Sequence, residues 1–302
     1  MSSRRGLIRS VRPRPRPPPT YTPASAAKRS SNPRTARSPP QPTFDPTSLR
    51  ARFIPFQSPH ETAGRAKMSW NKVLEDYARL KRPERELPPG VFVAATRKTT
   101  TIFDGFEKAK FHLLVLPREP FELEDGSTLS GPALSSLSQL LKSPHALQVL
   151  KELQSQAEEV KDMIRDEMEK EYGWSWGVQA GFHAVESMRH VHLHVISTDF
   201  LSPKLKNKNK TNAILCRHWN SFHPTLGYFL HLSDVIAAVE AGKNPLRDPK
   251  HYEALLKTDL VSTYPPHASF ATLPKLKEHL EHEWEKEGRR RKSEKVRCRI
   301  GL

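Results

Sequence analysis

The sequence is poor in cysteine and in long apolar runs. Cys216 and Cys298 are its two thiols and form no CxxC pair, which argues against a disulfide framework and indicates a reducing compartment. No apolar stretch approaches the roughly 20 residues of a membrane span, so a soluble protein with no membrane partner is expected. Acidic residues are missing before Asp45, which fits either a mitochondrial transit peptide or a solvated basic tail.

Proline and positive charge are instead abundant. The first 60 residues hold 13 of the 27 prolines, and the net charge is +16. We therefore expect residues 1–67 to form a disordered Arg/Pro-rich tail. The charge favours a polyanionic partner through counterion release. A basic run, RRRK at 289–292, lies in a basic tail at 289–302 and is compatible with nuclear import or nucleic-acid contact.

Periodicity predicts one α+β domain over residues 68–242. A long amphipathic helix is predicted at 146–173, where apolar residues recur every three or four positions and Gly173 closes the pattern. Strands are predicted at 91–95, 100–103, 111–116, 176–184 and 190–197. We expect a mostly antiparallel sheet covered on one face by helices.

The most informative motif is HVHLHV, residues 190–195. Alternate side chains of a strand share a face, so His190, His192 and His194 are predicted to project together. Alternate histidines can share a zinc ion, or they can be structural residues satisfied by hydrogen bonds. The third reading is a histidine nucleophile for phosphoryl or nucleotidyl transfer, whose neighbours hold its tautomer and the phosphate.

Longer segments around this motif resemble a known superfamily. GFHAVESMRHVHLHVIS, residues 181–197, is similar to the signature of the histidine triad superfamily, in which three histidines alternate with apolar residues. TIFDGFEKAKFHLLVLPR, residues 101–118, resembles the other half of that domain, with Asp104 eight residues before His112. HWNSFHPTLGYFL, which follows SPKLKNK, is similar to a stretch of aprataxins. The resemblance implies an aprataxin-like protein with a histidine triad fold.

The family resemblance also implies an activity. Such a protein removes AMP from the 5′-phosphate of aborted ligation intermediates, on nicked or damaged double-stranded DNA, during single-strand break repair. His192 is then the nucleophile that takes the AMP, His190 orients the row, and His194 donates to a nonbridging phosphate oxygen. His112 contacts phosphate and is a candidate general acid on the departing 5′-phosphate. This chemistry needs no cofactor.

Other residues are expected to bind the substrate. Asp104 has acceptor geometry suited to two ribose hydroxyls, although an Asp before Gly105 also forms turns. Ser187 is expected to contact the same phosphate as His194, and His183 to lie near the site. Further candidates for binding DNA phosphates are Lys206, Lys208, Arg217 and His218.

Two rival functions remain open at this point. One is a small-molecule adenosine phosphoramidase of the same superfamily, and the other is a noncatalytic DNA-end binding protein. The basic run and the family resemblance favour the nucleus, with the mitochondrion as the alternative.

The carboxy-terminal segment, residues 243–288, resembles the small zinc finger that follows the catalytic domain in aprataxins. In that family a CxxC pair precedes the helix, and a His plus a His or Glu four residues later complete the site. Here the corresponding stretch LVSTYPPHASF holds no thiol. His279 and Glu283, with His267 or His282, are the candidates for a weaker metal site, but we prefer a zinc-free helix that packs through Leu276 and Leu280.

Overall fold

A computed structural model describes residues 69–205 and 218–300. The predicted tail at 1–67 and the candidate phosphate ligands Lys206, Lys208 and Arg217 lie outside the described residues. The strands are β1 (Phe92–Ala95), β2 (Thr99–Phe103), β3 (His112–Pro117), β4 (Phe121–Glu122), β5 (Thr128–Leu129), β6 (Val178–His183), β7 (Leu193–Ser197), β8 (Phe229–His231), β9 (Leu260–Val261) and β10 (Ser269–Phe270). Six of them form one antiparallel sheet in the order β1-β2-β3-β7-β6-β8.

Helices surround this sheet and give the predicted α+β architecture. They are α1 (Val73–Ala78), α2 (Pro83–Glu86), α3 (Leu137–Leu140), α4 (Ala146–Tyr172), α5 (Leu232–Glu240), α6 (Pro249–Leu255) and α7 (Leu273–Ile300). Residues 218–222 are also helical. Within the described ranges, no helix combines the length and the apolar character that crossing a bilayer requires.

The long helix α4 forms as its sequence pattern predicts. Its residues spaced three or four apart, among them Val149, Leu153 and Val160, are buried against the sheet. The helix ends at Gly173, which has φ +76° and caps it in the left-handed conformation that glycine adopts without strain. Helices α4 and α5 thus cover the face of the sheet to which Leu113 and Leu193 point.

Helices also cover the opposite face of the sheet. The sequence pattern predicts helices on one face only. Leu114 and Leu116 of β3 pack in a cluster with residues of α1, and Ile196 of β7 packs in a second cluster with residues of α7. Every residue of β3 and of β7 is buried, so both faces of these central strands need a partner layer. The histidines of the motif lie on this second face.

The carboxy-terminal module is a small hairpin followed by α7. Strands β9 and β10 pair antiparallel, with Ser269 opposite Val261 and Phe270 opposite Leu260. Helix α7 then runs for 28 residues, and the basic run at 289–292 continues it. Glu287 lies within ion-pair distance of Arg290 and Arg291, one helical turn away, a spacing that supports helices.

Gly181 is a site where the fold tolerates no side chain. It lies in β6 between its partners His194 on β7 and His231 on β8. A Cβ at this position would approach the carbonyl oxygen of Leu230 and the ring of Phe229 to under 3.0 Å. We therefore expect Gly181→Ala to lower the free energy of unfolding by about 1–3 kcal/mol. Denaturant unfolding measures this, and an unchanged midpoint would contradict the packing described here.

Candidate active site

Two histidines reach the site from neighbouring strands. The β3–β7 register pairs His112 with Ile196 and Leu114 with His194, so His112 and His194 are diagonal neighbours on one face. Their ring centroids lie 5.2 Å apart, and Nε2 of His112 lies 3.0 Å from Nδ1 of His194. Diagonal cross-strand pairs are within reach of aromatic side chains. The spacing between Asp104 and His112 therefore does mark a strand that enters the histidine cluster.

The backbone that carries His190 and His192 is not the strand that alternation predicts. Strand β7 begins only at Leu193, and His190 has φ +86°. The backbone N–H groups of His190 and Val191 donate to carbonyls of residues 135 and 134 instead of to a strand partner. A predicted strand over 190–197 is thus too long at its start, because the turn is held by a segment far away in sequence. The ring of His192 still lies 5.0 Å from that of His194.

The tautomer of His192 follows from its hydrogen bond. Its Nδ1 lies 2.8 Å from the carbonyl oxygen of His190, and a carbonyl oxygen can only accept. Nδ1 therefore carries the proton, which leaves a lone pair on Nε2. Among the described residues Nε2 has no hydrogen-bond partner, although the whole residue is only 4 % exposed. The His190 ring is fixed in turn, because its Nε2 donates to the carbonyl of Pro117 at 2.7 Å.

A hydrogen-bond relay sets the proton of His194. The backbone N–H of Lys108 donates to Nδ1 of His112 at 3.2 Å, so the proton of neutral His112 is on Nε2 and is donated to Nδ1 of His194. His194 then carries its own proton on Nε2. That nitrogen is buried and has no partner within the described part of the chain. The cluster therefore offers one free acceptor on His192 and one free donor on His194.

Burial keeps these rings neutral. It lowers the pKa of His112 and of His190 from 6.5 to about 4. Burial also lowers the pKa of His192, and it holds the pKa values of His183 and His194 well below 6.5. A neutral imidazole has the lone pair that nucleophilic attack requires, so the cluster is in its reactive protonation state at pH 7.

The carboxylate of Asp104 interacts mainly with the backbone of its own turn and with His112. Its Oδ1 accepts the backbone N–H of Phe106 at 2.7 Å, and its Oδ2 lies 3.4 Å from Nε2 of His112. The turn-forming alternative is therefore observed. The side chain keeps 14 % of its surface exposed, so the ribose contact implied by the family stays a prediction.

Of the remaining predicted residues, one lies in the histidine cluster and two are exposed. His183, the last residue of β6, has its ring centroid 4.6 Å from that of His194 and 4.3 Å from that of Phe222. Its Nε2 is buried without a partner in the described ranges, so it belongs to the cluster. Ser187 is exposed in the loop between β6 and β7. His218 is exposed at the start of the helical segment 218–222.

Four contributors to the site are not identifiable from the sequence motif. The Lys108 amide and the Pro117 carbonyl are backbone groups whose positions depend on the fold. Phe222 has its ring centroid 5.2 Å from those of both His112 and His194. Glu186 has a partly buried carboxyl group that accepts the backbone N–H of Leu137 at 2.6 Å, and it holds the loop that carries Ser187.

The metal alternatives can be compared with the geometry. Asp104, His112 and His194 form the one group of three ligand-type residues found in the described ranges, but the 3.0 Å separation of the two ring nitrogens is that of a hydrogen bond. In the carboxy-terminal module Nε2 of His279 lies 2.9 Å from the hydroxyl of Ser262, and Glu283 pairs with Lys286 and His282. The weaker zinc site suggested by His279 and Glu283 is thus not assembled.

Comparisons with known proteins agree with this architecture. A family model described as "Scavenger mRNA decapping enzyme C-term binding" matches residues 71–210, and one described as "C2HE / C2H2 / C2HC zinc-binding finger" matches residues 225–286. The solved structure of an aprataxin ortholog, Hnt3, in complex with DNA covers 72 % of this chain and 96 % of that chain, with a TM-score of 0.50 at 23 % identity. This likeness supports the fold.

Relatives found by sequence are also aprataxins or aprataxin-like proteins. Aprataxin from Gallus gallus is 36 % identical over 199 residues, which is 66 % of this chain and 52 % of the relative. Aprataxin from Danio rerio is 35 % identical over 64 % of this chain and 49 % of its own length. An aprataxin-like protein of Saccharomyces cerevisiae is 29 % identical over 72 % of this chain and 97 % of its own length. The chain spans about half the length of the two vertebrate relatives. These matches, with the histidine cluster, support an aprataxin-like protein of the histidine triad superfamily.

Proposed function

We propose that the chain removes AMP from the 5′-phosphate of adenylated DNA ends through a covalent AMP–histidine intermediate. The observation that carries this proposal is the pair of complementary nitrogens, a free lone pair on His192 Nε2 and a free N–H on His194 Nε2. A nucleophile beside a buried donor suits attack on a phosphorus atom whose oxygens carry negative charge.

The reaction proceeds in two displacements. His192 Nε2 attacks the α-phosphorus of the adenylate, the phosphoanhydride bond to the DNA breaks, and the 5′-phosphate leaves with the bonding electron pair. Water then attacks the phosphorus of the histidine-bound AMP, which breaks the P–N bond and releases AMP. In both steps the N–H of His194 stabilises a nonbridging oxygen. No metal or other cofactor takes part.

The supporting residues hold the two active rings. His190 fixes the backbone turn whose carbonyl orients His192. His112 has both ring nitrogens engaged and a side chain with 0 % exposure, so we assign it the positioning of His194 in place of the general-acid role. Its partner Asp104 reaches the ribose hydroxyls with its exposed edge, and Ser187 and His183 contact the phosphate.

A DNA substrate is favoured over a small adenylate by charge. The chain carries +16, and its net positive charge suits a polyanion. Lys206, Lys208 and Arg217, with His218, flank the second half of the site in sequence and contact backbone phosphates of a nicked or damaged duplex. The solved Hnt3 relative was crystallised in complex with DNA. The basic run at 289–292 supports a nuclear location.

Comparing two substrates at equal concentration tests this function. We expect fast release of AMP from a 5′-adenylated DNA nick and much slower release from a small AMP amide, because phosphate contacts along the duplex raise the affinity for DNA alone. Equal rates would indicate the small-molecule phosphoramidase. Binding of the nick without release of AMP would indicate a noncatalytic end-binding protein.

A further inference from the structure

The carboxy-terminal module has the outline of a zinc finger but lacks its thiols. The hairpin β9–β10 and the first half of α7 lie within residues 225–286, which match the zinc-binding finger model. In the family pattern two cysteines spaced as CxxC precede the helix. The segment that connects and flanks the two strands here, LVSTYPPHASF, holds two serines, two prolines and a histidine but no cysteine.

We propose that this module folds without metal, and that a hydrogen bond between Ser262 and His279 takes the place of the thiolate–zinc–imidazole link. Ser262 is fully buried, with 0 % exposure. Its hydroxyl oxygen accepts the backbone N–H of Tyr264 at 3.0 Å and lies 2.9 Å from Nε2 of His279. Ser262 and His279 are therefore joined by a side-chain hydrogen bond, so Nε2 of the would-be ligand already has a partner.

The other candidate ligands already have hydrogen-bond or ion-pair partners. Nδ1 of His267 donates to the carbonyl oxygen of Ser262 at 3.0 Å, which closes the turn between β9 and β10. Glu283 forms ion pairs with Lys286 and His282 on the exposed side of α7. In the described part of this module no three of these ligand atoms converge. A tight structural zinc site needs four ligands, commonly including thiolates.

Apolar packing fixes helix α7 in position, which is the role of the metal ion in a zinc finger. Leu273, Leu276 and Leu280 are buried in one cluster with Trp219 and Phe222 of the preceding helical segment. Burying three leucines of one helix removes a large apolar area from water, which stabilises the packed position of the helix. This strip connects the module to the layer that carries the histidines.

A second anchor lies further along α7. The ring of Trp284 packs against Trp174 and Tyr172, and the ammonium of Lys110 lies 4.5 Å from its ring centroid. Gly288, one turn later, allows this approach, since a Cβ there would lie 2.9–3.1 Å from atoms of the Trp174 ring. The helix is thus fixed to the sheet domain at two places that need no ion.

Metal analysis of the full chain tests the proposal. The protein purified from cells grown with added zinc, without chelator, should hold far less than one zinc ion per chain by elemental analysis. Its thermal midpoint should not change when a strong chelator is added. One tightly held zinc per chain, whose removal lowers the midpoint, would overturn the proposal regardless of whether the chain acts on adenylated DNA.

Substitutions test the hydrogen bond itself. Ser262→Ala should lower the thermal midpoint by about 2–4 °C, as loss of roughly 1 kcal/mol does in a domain of this size. His279→Ala should lower it too, and the double variant should lose less than the two shifts added together, because both remove the same bond. Ser269→Ala, an exposed position on β10, serves as the matched control. Additive shifts, or no shift in Ser262→Ala, would refute the assigned bond.

Discussion

Replacing His192 with alanine reduces the release of AMP from an adenylated DNA nick by a factor of about 10³ or more, the scale on which removal of a catalytic nucleophile acts. The substitution deletes the nitrogen that forms the covalent intermediate, which belongs to a ring 5.0 Å from the ring of the His194 donor. DNA affinity should be nearly unchanged, because the proposed contacts to backbone phosphates lie outside the cluster. Single-turnover kinetics with labelled adenylate measures the first effect, and a binding titration measures the second.

A matched control is available in the same chain. His251 on α6 lies outside the histidine cluster, so His251→Ala should keep the wild-type rate. Trapping of labelled AMP on the protein by rapid quench in alkaline denaturant, in which a phosphoramidate bond survives, should be seen with this control and not with His192→Ala. Wild-type turnover by His192→Ala would remove the nucleophile assignment.

Acidification is the second change with a large expected effect, here on stability. Since burial lowers the pKa of His112 and of His190 from 6.5 to about 4, the unfolded chain takes up protons between pH 6.5 and 4 that the folded chain does not. The stabilising contribution of each neutral ring is complete above pH 6.5 and is lost as the pH falls. Each costs about 3 kcal/mol at pH 4.

The other buried rings reinforce this trend, and one carboxyl opposes it. The pKa values of His183, His192 and His194 are also lowered by burial. Burial raises the pKa of Glu186 from 4.5 to about 7, so its contribution changes in the opposite sense, favouring the folded state as the pH falls. Five histidines outweigh one carboxyl, and the net effect of acid is unfolding.

Denaturant unfolding at several pH values measures this dependence. The free energy of unfolding should decrease by several kcal/mol between pH 7 and pH 4.5, and His190→Gln, which removes one titrating ring, should show a shallower decrease. A free energy of unfolding that stays constant over this range would mean that the rings are protonated in the folded state, and the neutral cluster described here would be wrong.

The sequence predicts much of this fold because its strongest patterns are local. The period of α4 and its closing glycine predict the helix to within a residue, and the five predicted strands all occur with shifts of one to three residues at their ends. Helix α7 continues past Gly288, where a glycine normally weakens a helix. Contact with Trp174 and the Glu–Arg pairs along the helix compensate for it, and the tertiary contact is not visible in a local pattern.

The site was predictable by residue type but not by its bonding. Spacing identifies Asp104, His112 and the three motif histidines. The structure brings the side chains of Asp104, His112, His192 and His194 together, and it places the carbonyl of His190 against the His192 ring. The direction of each proton depends on the Lys108 amide and on the carbonyls of Pro117 and His190, which only the folded backbone places. This is why the general-acid role expected for His112 gives way to a positioning role.

Phe222 has a consequence for how the carboxy-terminal helix and the histidines depend on each other. Its ring centroid lies 4.3–5.2 Å from those of His112, His183 and His194, and its side chain is buried in one cluster with Leu276 and Leu280 of α7. A truncation that removes α7 would therefore expose this ring to water and loosen the histidines it supports. Helix α7 is thus expected to be as necessary for the order of the histidine rings as the strands that carry them.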